Sequence, residues 1–215
     1  RSLELEEACF SVIALQAPNS AALMLLRLAA EKAGVVALLV PPTFSRAEVG
    51  AITERLPLAG AVLSERARAQ DLANVYRAGA RESFALFSIG GSSIPGACDI
   101  ESWLDVPYSA TEAGRVLDGR RLQPYEYAAI ITTSGTTGIP RFVEHTACAR
   151  NASGRVYIDR LQLTHNDVVV GMVSIFAGNC DLLVHHTAPQ VGARIVLVDH
   201  FDPQLACRLI ESERA

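Results

Sequence analysis

Short apolar runs alternate along this chain with longer stretches that are polar on one face, and the alternation predicts most of its architecture. Cys9 to Ala17 is apolar and partly β-branched, which predicts a strand. Pro18-Asn19-Ser20 then supplies a turn and an N-cap for a helix over Ala21 to Gly34. Val35 to Val40 predicts a second strand, closed by Pro41-Pro42, and Ser45 with Glu48 three positions later makes a capping box for a helix to about Leu56. Ala61 to Ser64 and Ser83 to Ile89 read as two more strands around a polar helix at 65–79. Apart from isolated Ser and Gln residues, these runs are continuously apolar rather than apolar at every second position. Strands of that kind are covered on both faces, so the sheet is expected to be largely parallel.

The rhythm breaks over 90–125, where Gly90-Gly91-Ser92-Ser93 opens a polar stretch that ends near Pro124. This reads as a surface excursion and not a domain boundary. Trp103 and Tyr108 fall within it and are expected to anchor it to the body, and Arg120-Arg121 is a small surface cluster. Tyr127 to Thr133 predicts another strand, Thr146 to Leu161 a helix, and Val168 to Val173 and Ala193 to Asp199 two further strands. Asp202-Pro203 starts a last helix, with Asp as N-cap and Pro at the first helical position. The expected fold class is α/β, with layered, largely parallel sheets flanked by helices.

Composition narrows the picture. Half of the 215 residues are hydrophobic, and a chain of this size buries roughly 70% of its unfolded surface, so a real core is expected. Nineteen basic against 23 acidic side chains give a net charge of −4 with no basic block, which argues against a nucleic-acid partner. The five cysteines are odd in number and include no C-x-x-C pair, so neither a disulfide framework nor a zinc site is indicated; reduced thiols in the cytoplasm fit. The apolar run Ala21 to Ala30 is broken by Arg27 and is too short to cross a bilayer. The chain opens Arg1-Ser2 and ends within what reads as a charged helix, Glu211 to Ala215, from which a fragment of a longer protein is expected.

The densest unusual composition is Thr132-Thr133-Ser134-Gly135-Thr136-Thr137-Gly138-Ile139-Pro140-Arg141, directly after the apolar strand residues Ala128 to Ile131. Glycines allow consecutive backbone N–H groups to converge on an anion, hydroxyls add donors that also ligate Mg²⁺, and an Arg at the exit supplies fixed positive charge. That is the composition of a phosphate cradle without the Walker pattern, although a Ser/Thr/Gly-rich surface turn uses the same residues. Elsewhere, Asp181 and His185 are four apart and could share a helix face, but two ligands do not make a metal site, and His185-His186 read as structural. Cys180 would be a nucleophile only beside a base, for which the sequence gives no sign.

The order of residues Thr133 to Arg141 closely resembles the phosphate-binding signature of the adenylate-forming superfamily, which contains acyl- and aryl-CoA synthetases, luciferases and the adenylation domains of peptide synthetases. The resemblance extends to Leu15–Ser20, to Val35–Glu48 with its Pro41-Pro42-Thr43-Phe44, to Gly192–Leu197 and to Asp199-His200-Phe201-Asp202-Pro203. It implies that a carboxylic acid attacks the α-phosphate of ATP with Mg²⁺ present, and that the acyl-adenylate passes to the thiol of CoA or of a phosphopantetheine arm on a carrier protein. It further implies that Thr133, Ser134, Gly135, Thr136, Thr137 and Gly138 hold the β- and γ-phosphates, with Thr133 or Thr136 near the Mg²⁺. Arg141 stands where relatives carry Lys, Phe142 where they carry Gly, and His145-Thr146 reverses their order.

In Ser174 to Cys180, where many fatty-acyl relatives read P-L-F-H-x-x-G, Ala177 takes the His position. Benzoate-type ligases resemble this chain in carrying Phe-Ala there, so Phe176, Ala177 and Gly178 are expected to shape the acid pocket, for an aryl or cyclic acid; ordinary packing at a strand end is the other reading. The family's downstream Y-G-x-T-E strand, its T-G-D aspartate and its C-terminal lysine have no counterpart in the 215 residues. The expected function is therefore the N-terminal portion of an acid–thiol ligase, inactive alone and prone to self-association through an uncovered face. A non-catalytic relative that keeps the fold as an interaction module is the alternative, and a generic nucleotide-binding domain with a fortuitous loop match is the third.

Overall fold

The computed structural model describes residues 11–64, 69–80, 84–90, 94–104, 106, 109–133 and 140–215. The predicted βα alternation appears as β1 (Val12–Gln16), α1 (Ala21–Lys32), β2 (Val36–Leu39), α2 (Arg46–Thr53), β3 (Gly60–Ser64), α3 (Ala69–Ala78) and β4 (Ala85–Ile89). The caps are those expected. The Ser20 hydroxyl accepts from the Leu23 amide, and Ser45 and Glu48 form a reciprocal capping box at the start of α2.

The 90–125 excursion stays on the body but is more structured than a loop. It contributes β5 (Cys98–Asp99), α4 (Glu101–Leu104) and α5 (Ala110–Asp118). Trp103 meets Phe87 edge to face at 5.7 Å, which is the anchoring expected of it; Tyr108 lies outside the described residues. Gly34, at φ +69, lies so close to the Arg120 carbonyl that any side chain there would collide with it.

After β6 (Tyr127–Thr133) comes β7 (Arg141–Thr146), an antiparallel strand that the hydrophobic pattern does not announce. Its adjacent Phe142 and Val143 break the alternation, and its pairing with β6, not its own sequence, makes it a strand. The seven strands run β5-β4-β3-β1-β2-β6-β7 and are parallel except for the last pair. Alternate strand residues feed two cores. Ala14, Leu38 and Leu63 pack with Val49 and Ile52 of α2 and Leu72 and Tyr76 of α3. Leu15, Leu39 and Val62 pack on the opposite face with Leu23 of α1 and with Ile175, Phe176 and Val184. This double coverage is why the strands are apolar at consecutive positions.

The rest of the chain forms α6 (Ala147–Leu161), β8 (Val168–Gly171), β9 (Arg194–Leu197) and α9 (Pro203–Glu213). β8 and β9 pair in parallel as a separate small sheet whose Val169, Ile195 and Leu197 pack against the second core. Both are shorter than predicted, because Met172 and Val173 leave the ladder to line a cavity. Between them runs a helical segment not foreseen as such: α7 (Gly178–Asp181), a π-helical turn over Leu182–Thr187, and α8 (Ala188–Val191), closed by Gly192 at φ +73. Pro189 and β-branched Val184 and Thr187 mask its periodicity. Among the described residues no helix is long and apolar enough to cross a membrane.

Helix α6 meets the π turn through Gly154, the single buried residue of the helix, whose Cα sits against the His186 carbonyl. Gly154→Ala would gain about 1 kcal/mol of helix propensity, yet its methyl would collide with that backbone oxygen. A net fall in melting temperature is expected, and a rise would mean that α6 shifts freely on the π turn.

Candidate functional site

The parallel strands β1, β2, β6, β8 and β9 all end at one cavity of about 900 Å³. Clefts outside the carboxyl ends of parallel strands are where α/β folds bind ligands, and the volume suits a small molecule or nucleotide. Its wall carries Pro18 and Asn19 after β1, Pro41 to Phe44 after β2, and Ile131 to Thr133 at the end of β6. Met172 to Ser174 after β8 and Asp199 to Phe201 after β9 close it.

Asn19 holds this arrangement together. It is 7% exposed, and its Nδ2 donates to the Val173 and Val198 carbonyls, both at 2.9 Å. Its Oδ1 accepts from the Ile175 amide at 2.9 Å. One side chain at the end of β1 thus satisfies the backbone leaving both strands of the small sheet, and it ties the two sheets at the cavity rim. Fully buried Gln16 repeats the device on the other side, donating to the Pro41 carbonyl at 3.1 Å and accepting from the Tyr76 hydroxyl at 2.9 Å. The Thr132 hydroxyl donates to the Leu39 carbonyl at 3.1 Å, linking the end of β6 to β2.

Thr133 is exposed on the cavity wall and pairs across the ladder with Arg141. Ser134, Gly135, Thr136, Thr137 and Gly138 lie outside the described residues, so of the two candidate Mg²⁺ ligands only Thr133 is described. Arg141 is exposed at the start of β7 and is not among the residues described on the cavity wall. Arg55, exposed after α2, donates to the carbonyl of Pro140, just past Gly138, at 2.7 Å and lies 4.7 Å over the ring of Phe142, which packs against the first core. Phe176, Ala177 and Gly178 all line the cavity. Phe176 is also buried in the second core, so it is wall and packing at once, while Ala177 caps α7.

Two charged residues of this region, Arg150 and Asp181, are ones that sequence reasoning did not connect to it. Arg150, on the first turns of α6, lines the cavity and donates from Nη2 to the Gly178 carbonyl at 2.6 Å and to Asp181 Oδ2 at 2.8 Å. Asp181 is buried, and His185 Nδ1 lies 3.2 Å from its Oδ1, so the i,i+4 pair does share a face. Burial opposes its charge, but the His185 contact and the charges of His185, Arg27 and His186 outweigh burial and hold Asp181 below the usual carboxylate range. The pair is thus engaged with an arginine. Cys180 beside it is pushed up to about 11 by burial and by the Asp181 charge, which makes it an inert thiol.

His186 donates from Nδ1 to Asn151 Oδ1 at 2.9 Å. Burial, reinforced by Arg27, Arg150 and His185 against the opposing charge of Asp181, pushes it down to about 4. The unfolded chain protonates this ring near 6.5 and the native protein does not. Stability is therefore complete above pH 6.5 and declines as pH falls toward 4, by on the order of 3 kcal/mol. Urea midpoints should fall between pH 7.5 and pH 5, and His186→Gln should flatten that slope; a midpoint indifferent to pH would contradict it. His145, on the cavity wall, is lowered likewise by burial and by Arg150.

The profile of the AMP-binding enzyme family matches residues 10–215. A medium-chain fatty-acid–CoA ligase of Escherichia coli (strain K12) is 42% identical over 91 residues, which is 41% of this chain and 16% of that protein. A structure described as a long-chain-fatty-acid CoA ligase from Rhodopseudomonas palustris CGA009 superposes with a TM-score of 0.74 at 22% identity, covering 98% of this chain and 50% of that one. ATP-bound MatB from Rhodopseudomonas palustris superposes with a TM-score of 0.71 at 17% identity, over 96% of this chain and 38% of that one. The chain thus spans half or less of the proteins it matches.

Proposed function

Because this chain belongs to the AMP-binding enzyme family, we propose that it is the N-terminal portion of an ATP-dependent carboxylic acid–thiol ligase. The observation that carries the reading is the cavity at the strand ends, with Thr133 on its wall and paired across the ladder with Arg141, the two residues that bound the hydroxyl- and glycine-rich stretch of sequence. The proposed chemistry begins when a carboxylate oxygen bonds to the α-phosphorus of ATP as the bond to the β-phosphate breaks and pyrophosphate leaves. A thiol of CoA, or of a phosphopantetheine arm on a carrier protein, then takes the acyl group and releases AMP. Mg²⁺, with Thr133 or Thr136 near it, would offset the charge building on the departing pyrophosphate.

Thr133 to Gly138 and Arg141 supply the phosphate donors in this reading, and Phe176, Ala177 and Gly178 form the acid pocket. The Phe176 ring and the small Ala177 on the wall support an aryl or cyclic acid. The ligase acts in the cytoplasm; Cys98, Cys148, Cys180 and Cys207 are free thiols, which fits. Without the family's downstream adenine, ribose and lysine motifs the 215 residues alone are inactive. They self-associate through the apolar face that the rest of the large domain would otherwise cover.

ATP–pyrophosphate exchange on the full-length protein, with aryl, cyclic and aliphatic acids, tests the proposal. Exchange is expected to be fastest with the aryl or cyclic acids. Thr136→Ala should slow it by about 100-fold or more, the scale of one lost transition-state donor, at unchanged folding. Exchange with no acid would favour the second reading, a non-catalytic module, to which one observation lends weight: Arg55 holds the Pro140 carbonyl and stacks over Phe142, which stands where relatives carry glycine.

A further inference from the structure

Arg150 has a position that its structural contacts do not exhaust. Its side chain is 11% exposed and forms part of the cavity wall, yet only Nη2 is engaged, by the Gly178 carbonyl and Asp181. Nε is buried without a hydrogen-bond partner, and among the described residues Nη1 has none either. A guanidinium presents five N–H donors; with the two Nη2 hydrogens taken and Nε buried, Nη1 is the donor left to meet an oxyanion in the cavity.

The surroundings favour an anion over any other ligand. Among the described residues of the wall, Arg150 is the one Arg or Lys, accompanied by His145, His200 and Asp199. Burial and the charge of Arg150 itself lower His145 from its ordinary value, so that ring is disfavoured as a cation beside Arg150. Ala177, one residue before the Gly178 carbonyl that Arg150 grips, brings only a methyl group to the same wall. Asp181, with 1% of its side chain exposed, holds the guanidinium in one orientation. A site residue locked from behind in this way meets its ligand at little entropic cost.

We propose that Arg150 is an anion-positioning residue of this cavity, its Nη1 donating to an oxyanion of the substrates, a carboxylate or a phosphate oxygen, while Asp181 fixes its orientation. The assignment deepens the ligase reading and rests on it for the identity of the substrates. It does not need catalysis in order to be tested.

Calorimetric titration of the folded chain with inorganic pyrophosphate, benzoate and octanoate, and with neutral benzamide and octanamide, reads the site directly. Arg150→Gln is expected to weaken at least one class of anion by about 10- to 100-fold, the range of a lost hydrogen bond to a charged group, and to leave the amides unchanged. Loss confined to benzoate or octanoate assigns Nη1 to the acid, and loss confined to pyrophosphate assigns it to the nucleotide. Arg150→Lys, which keeps the charge, should recover part of the loss. The double variant Arg150→Gln/Asp181→Asn removes both charges of the pair and covers the case in which the single variant fails to fold.

Asp181→Asn alone separates positioning from mere support: it should lower the melting temperature while retaining more anion affinity than Arg150→Gln. Equal losses in the two variants, unchanged anion affinity in a folded Arg150 variant, or no binding of any of the three anions by the wild-type chain would overturn the assignment. Absent pyrophosphate exchange alongside Arg150-dependent anion binding would sink the ligase reading and leave Arg150 standing.

Discussion

Asp181→Ala should destabilise the folded chain by about 3–5 kcal/mol, the range found when one partner of a buried ion pair is removed. The variant leaves the Arg150 guanidinium, itself 11% exposed, without its counter-ion, and takes from buried His185 the carboxylate 3.2 Å away. It also opens a void where α7 passes into the π turn, and it loosens Arg150, whose other contact holds the Gly178 carbonyl at the cavity wall. Urea unfolding followed by circular dichroism gives the number. Asp181→Asn should lose less, since an amide oxygen still accepts from Nη2. A cost below about 1 kcal/mol for the alanine variant would place the pair among those that solvent or neighbours readily replace.

Asn19→Ala is the second large effect expected, about 3 kcal/mol or more. Three backbone groups lose their partner at once: the Val173 and Val198 carbonyls and the Ile175 amide. Each buried group left unsatisfied costs about 1–3 kcal/mol. Asn19→Asp should fare little better, because a carboxylate accepts from Ile175 but cannot donate to two carbonyls. The loss should be local in character: hydrogen exchange at the Ile175 amide and along β8 and β9 should accelerate more than in β1 to β4. Uniform acceleration through both sheets would mean that Asn19 contributes only to global stability and does not join them.

Both residues illustrate how differently a sequence displays its site. Asn19 sits in a Pro-Asn-Ser turn that was legible as a turn and an N-cap, and the Ser20 cap is where the pattern put it. That its amide reaches residues 154 and 179 positions away is visible only once β8 and β9 are folded against β1. Arg150 lies within a helix whose end at Leu161 was foreseen to the residue, and the predicted start at Thr146 is its N-cap. Nothing in its neighbours marks it as a cavity residue. The signal available was indirect: a lone Asp181 in an apolar segment must find a cation, and the sequence cannot say which.

The sequence by itself determined the βα alternation, the parallel sheet, the helix caps and the family to which the chain belongs, because these rest on interactions between residues a few positions apart or on an ordered motif. Tertiary structure alone decided that β8 and β9 form a sheet of their own, that Arg141–Thr146 is a strand, and that Gly178–Val191 coils through a π turn. It also decided that Arg150, Asp181 and His145 share the region of the cavity. Those outcomes depend on distant partners: a backbone paired across a ladder, a glycine against a carbonyl, a buried charge and the cation that satisfies it. Local spacing carries no record of such pairings, since their free energy arises only when the surrounding surfaces have excluded water.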